Sequence, residues 1–185
     1  LTPELAMRGL IALLLGALFI CLVLRTRPYE VERGSAMQLY RQLEREACQM
    51  LVGSGLGAFS ALVGRAVEAF DALHLTPEGD GFGAGRKPRV GIVGEIMVKL
   101  SDDANNHIVE YLESEGAEAT THGLTDFFLY CGTDAIPRYQ KLAGGFLDML
   151  KSHILVGTIE AVRSIVGGAL ARSRRFHAPP SIKAL

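Results

Sequence analysis

Cysteine is scarce in this chain. The 185 residues hold three, Cys21, Cys48 and Cys131, widely spaced and odd in number. No CxxC pair and no Cys/His group at zinc spacing occurs, so a disulfide framework and a structural zinc site are both excluded as readings. Reduced thiols of a cytosolic protein fit that usage, and Cys21, inside an apolar run, is expected to be a small core residue. An excess of charge of either sign is also missing. The formal net charge is −1, which leaves no electrostatic footprint for nucleic acid. The basic residues Arg172, Arg174 and Arg175 are too few to alter this, and they read as a solvated helix end or as a contact for an acidic partner. Phosphate-binding signatures are absent too. Neither G-x-G-x-x-G nor G-x-x-x-x-G-K-[ST] appears, and no serine stands in a G-x-S-x-G elbow.

What is present is ample apolar material. Hydrophobic residues make up 49% and charged residues 21%, enough for one domain of ordinary size with a real core. The most apolar stretch is 9–24, GLIALLLGALFICLVL, interrupted by Gly9 and Gly16 and stopped by Arg25, Arg27 and Pro28. A membrane span needs about 20 apolar residues, and no small-residue cleavage site follows as a signal peptide would require. The run is read as a helix buried on all sides of a larger protein, with a signal or anchor as the alternative. Uncovered, it would promote self-association through residues 9–24. The start at Leu1 and the end at Leu185 carry no closing signals, and the chain is read as an internal segment of a longer polypeptide.

Thr2-Pro3-Glu4 is a helix start: a capping hydroxyl, proline at the first helical position, then an acid. That helix should run to about Leu24 and end before Pro28. Met37, Tyr40, Leu43, Ala47 and Leu51 mark a second helix after Gly34, and a third from about Ala58 carries Leu62, Ala66, Ala69 and Leu73. Residues 76–86, TPEGDGFGAGR, form a flexible glycine-rich loop and the best internal boundary. The chain thus divides into a helical segment 1–75, the loop 76–86 and an α/β segment 87–185 with C-terminal helices.

Beyond the loop, Arg89-Val90-Gly91-Ile92-Val93-Gly94 reads as a buried parallel strand and 117–121 as a second. Asp102 or Asp103 is expected to cap the helix between them, which stops at Gly116. Another helix is expected from Thr125 or Asp126, and helices through 135–175. The fold class is therefore α/β: a short parallel βαβ unit, strands near 89–94 and 117–121, between a mainly helical N-terminal part and a helical C-terminal part.

In an open parallel sheet a ligand binds beyond the carboxyl ends of the strands. Glu95, Lys99, Asn105, Asn106 and Asp126 are all expected at that edge. A carboxylate, an amine, two amides and a second carboxylate can grip a polar ligand. Equally, Glu95 and Lys99 can pair structurally while the asparagines cap a helix. The five histidines are scattered, and Cys131 is the one thiol near the edge, a candidate metal ligand shared with another segment.

Residues 87–96, Asn105-Asn106, 113–118 and Asp126-Phe127-Phe128-Leu129-Tyr130, with the upstream Arg27-Pro28-Tyr29-Glu30 and Arg175-Phe176-His177, resemble the large activase-related proteins of the 2-hydroxyacyl-CoA dehydratase system. That resemblance implies a parent protein with ATP and iron–sulfur clusters, in which a single electron drives loss of water from a 2-hydroxyacyl-CoA. Without phosphate-binding signatures or a set of cluster cysteines, this chain is expected to bind no cofactor alone and to have no catalytic residues of its own. It would be a cytoplasmic lobe, inactive alone, that shapes an acyl-CoA or iron–sulfur pocket. Its partners would be the remaining domains of the parent and an acyl-CoA, with no nucleic acid and no membrane. The alternative is a structural or interaction scaffold without ligand.

Overall fold

A computed structural model describes residues 2–53, 55–80, 85–121 and 146–177. Helix α1 spans Pro3–Thr26, α2 Ser35–Gly53 and α3 Leu56–Asp71. Strand β1, Arg89–Ile92, is followed by the short helices α4, Ile96–Leu100, and α5, Ile108–Ser114. Strand β2, Glu118–Thr121, comes next, and the long helix α6, Phe146–Leu170, follows it in the described chain. Single 3-10 turns occupy Arg27–Tyr29 and Pro77–Gly79. The architecture is mixed α/β, mostly helical, with one small parallel sheet.

Local chemistry sets the helix ends. Thr2 caps α1, its hydroxyl accepting from the Leu5 amide at 3.3 Å, with Pro3 at the first helical position. The helix stops where Pro28 enters the 3-10 turn. The helix α5 ends at Gly116, whose φ of +81° is a conformation glycine adopts without a Cβ penalty. Its start differs from the expectation. Residues 102–107 form turns, and Asn105, instead of Asp102 or Asp103, supplies the side chain that accepts from the Ile108 amide, at 3.2 Å.

The apolar core is built by helices. Leu15, Leu18, Leu22 and Phe19 of α1 meet Leu43 and Ala47 of α2, Phe59, Leu62, Val63 and Phe70 of α3, and Val162, Val166 and Ala169 of α6. The α6 residues fall at three- and four-residue steps, one stripe of the helix. Thus α6 completes the same core as α1–α3, across the sequence boundary at the glycine-rich loop. Helix α1 is covered along one face, while Gly9, Gly16 and Cys21 are exposed. Cys21, expected in the core, lies instead on the open side of α1, whose other face packs on α2, α3 and α6. By length and composition, α1 and residues His153–Leu170 of α6 are each apolar enough to cross a membrane.

Strands β1 and β2 pair in parallel, Arg89 opposite Glu118 and Ile92 opposite Thr121. Among the described residues the sheet has these two strands alone. β2 lies against α1, and its Ala117 and Ala119 flanks are buried, whereas β1 is largely exposed. The buried parallel strand expected at 89–94 is therefore a short one open to solvent, because no third strand of the described chain flanks it.

Candidate functional site

At the carboxyl end of β1 the chain turns into α4, and Glu95 caps that helix. One carboxylate oxygen accepts from the Met97 amide at 2.8 Å and from the Val98 amide at 3.0 Å. Lys99 lies in the last turn of α4. Among the described residues no ion pair joins Glu95 to Lys99, so the structural pair entertained from the sequence is not made. Asn105 links the two short helices: its amide nitrogen donates to the Lys99 carbonyl at 3.3 Å, and its oxygen accepts from Ile108. Asn106 and His107 follow in left-handed backbone, at φ 56° and 54°, a strained conformation for residues other than glycine. The structure thus brings Glu95, Lys99, Asn105 and Asn106 into one continuous turn system beyond β1. Asp126 and Cys131 lie outside the described residues. Around the four stand apolar side chains open to solvent, Val93 at 86% and Met97 at 71% exposure.

A second constellation, not anticipated as a group, is better built. Glu118 is only 1% exposed. One of its carboxylate oxygens accepts from the Tyr29 hydroxyl at 3.0 Å and from Arg86 Nη2 at 2.7 Å, and the other from Arg89 Nε at 3.0 Å. Arg86 also donates to the carbonyls of Gly79 and Arg25 and stacks 4.4 Å above the Tyr29 ring. Lys87 donates its amide to the Tyr29 hydroxyl and its ammonium to the Pro28 carbonyl. Alongside, Arg27 Nε reaches both oxygens of Glu113, at 3.0 and 2.8 Å.

The electrostatics follow from burial. Desolvation pushes the Glu118 carboxyl up, but the Arg86 hydrogen bond and charge, the Tyr29 hydroxyl and the Arg25 charge outweigh it and hold the group below its ordinary value. At Glu113 the balance is reversed: burial raises the carboxyl, and the Arg27 bond and charge only partly offset it. Burial and the neighbouring Glu118 charge raise Tyr29. These are the signs of an ion-pair joint. The sequence signal was a lone glutamate between two alanines in a strand, with basic residues preceding the partner strand.

A search of family models, of curated proteins and of solved structures finds no match to this chain. The site must be judged on its geometry. Among the described residues no three His, Cys, Asp or Glu side chains converge as metal ligands. A groove of about 500 Å³ between α2 and α3 is lined by Met50, Ala58 and Leu62, with Glu46 and Arg65 among its polar residues. It includes none of the candidate edge residues, and its ion pair Arg65–Glu46 at 3.1 Å spans two exposed side chains, which marks a surface furrow between helices.

Proposed function

We propose that this chain is a non-catalytic lobe of a cytoplasmic 2-hydroxyacyl-CoA dehydratase or activase-related protein, and that its β1 edge forms part of an acyl-CoA or iron–sulfur cluster pocket. In this reading, ATP and the clusters belong to the parent protein. The observation that supports it is the carboxyl end of β1: a carboxylate, an amine and two amides in one turn system, beside open apolar side chains, at the position where parallel sheets receive ligands. Lys99 and Asn106 would meet the polar part of a thioester ligand, and Val93 and Met97 its apolar part. Chemistry would come from the other domains of the parent.

The scaffold reading has its own support, because Glu95 and Asn105 already use their side chains to hold α4 and α5. Calorimetric titration of the protein with coenzyme A and an acyl-CoA separates the two. Saturable binding that is lost in Lys99→Ala and weakened in Glu95→Ala is the expected result, with circular dichroism showing both variants folded. Absence of binding at millimolar ligand would remove the pocket reading and leave the scaffold.

A further inference from the structure

The apolar core and the α/β unit are separate pieces of construction. Among the described residues, every member of the core cluster, and every partly buried apolar residue packed on it, comes from α1, α2, α3, α6 or the segments bordering them; none falls between residues 85 and 121. The α/β unit instead meets the helices through β2 against α1. What β2 buries are Ala117 and Ala119, with Glu118 between them. Alanines remove little apolar surface from water, so the apolar surface that β2 itself brings to this joint is small.

Directed polar bonds take its place. Glu118 of β2 and Glu113 of α5 receive Tyr29 and Arg27 from the turn after α1. Lys87 reaches the Pro28 carbonyl, and Arg86 reaches those of Arg25 and Gly79. Such bonds depend on alignment and are lost together when the surfaces part, whereas an apolar core tolerates small shifts.

We propose that residues 85–121 form a separately opening unit, docked on the helical core through a charged joint centred on Glu118 instead of through a shared apolar core. The unit carries Glu95, Lys99, Asn105 and Asn106, so opening would move the whole candidate edge as one body. The inference rests on the joint alone and stands whether or not that edge binds acyl-CoA.

Native-state hydrogen exchange on the full chain, read at single amides across a denaturant series, tests it. In the wild type, the β1–β2 ladder amides should exchange through an opening that exposes less surface and occurs more often than the opening that releases amides of α1 and α3. Glu118→Gln keeps the shape and removes the charge. It should accelerate exchange at the ladder by on the order of 100-fold, the scale of breaking a buried ion pair, with amides inside α1 and α3 changing by less than about threefold. Arg89→Gln, which alters a half-exposed partner, should act in the same direction and more weakly. Acceleration of α1 and α3 in step with the ladder would overturn the proposal. So would general unfolding of Glu118→Gln, or a wild-type ladder that exchanges only by global unfolding.

Discussion

Arg175 offers the sharpest test of how the helical core is closed. The residue is 5% exposed, and its Nη1 donates to the Phe70 carbonyl at 3.1 Å and to the Leu73 carbonyl at 2.9 Å. Its Nε donates to Asp80 at 3.0 Å. Phe70 and Leu73 flank the end of α3, where the last carbonyls lack intrahelical partners and the helix dipole favours a cation. Arg175→Ala removes two charge-assisted bonds to backbone, each about 1.5–3 kcal/mol. The Phe70 carbonyl also accepts from the Leu73 amide, so the lower end of that range applies at that atom. The bond to Asp80 adds under about 1 kcal/mol, because that carboxylate is half exposed and screened. The expected loss is about 3 kcal/mol, a large part of the 5–15 kcal/mol typical of a whole domain. Urea unfolding followed by far-ultraviolet circular dichroism should show the midpoint falling by about 1.5 M, for a slope near 2 kcal/mol per molar. Asp80→Asn, as a control, should lose less than about 1 kcal/mol. A loss below about 0.5 kcal/mol in Arg175→Ala, or an equal loss in Asp80→Asn, would refute the assignment of Arg175 as the cap of α3.

Two further predictions concern tyrosines. Gly79→Ala would place a methyl carbon 2.7 Å from Cγ of Tyr29, a ring that is 1% exposed and tied to Glu118. Overpacking of about 1–3 kcal/mol is expected, and an unchanged melting temperature would show that the turn at 77–79 yields. Tyr40, half-buried and donating to Glu44 at 2.6 Å, has its phenol pushed up to about 12, by burial first and then by that bond and the Glu44 charge. A phenol with a raised folded pKa contributes stability that is intact below about pH 10 and is lost as pH climbs toward 12. Spectrophotometric titration should show a late step that Tyr40→Phe removes; titration of all five tyrosines near 10 would contradict it.

Periodicity and punctuation made the helical frame legible. Thr2-Pro3-Glu4, the spacing from Met37 to Leu51 and the glycine stop at Gly116 correspond to observed ends and faces. The two strands were readable from their β-branched and apolar runs. Long-range pairing was not readable. Arg175 follows a helix in a basic stretch and reads as solvated, yet it reaches carbonyls 102 and 105 residues earlier in the chain. Glu118 reads as a tolerated charge in a strand, but Tyr29, Arg86 and Arg89 all bond to it. Cys21 misleads because an apolar run signals burial without saying which of its faces is covered. At the β1 edge, the reading in which an asparagine caps the next helix holds at Asn105, whereas the cap that Glu95 forms on α4 was not read from the residue types. The expectations at Asp126 and Cys131 fall on residues the structure does not describe.

The placement of α6 bears on the order in which this protein is made and folds. Its core stripe, Ile159 to Leu170, packs against α1 and α3, which leave the ribosome far earlier. Until those residues are synthesised, at chain growth of about 5–20 residues per second, the side of α3 that packs on α6 lacks that partner. The nascent three-helix stage is therefore an exposed, aggregation-sensitive interval. High sequence separation between partners also slows closure once the chain is complete. A protein stitched together in this way should depend on holding chaperones during synthesis more than a bundle of successive hairpins would.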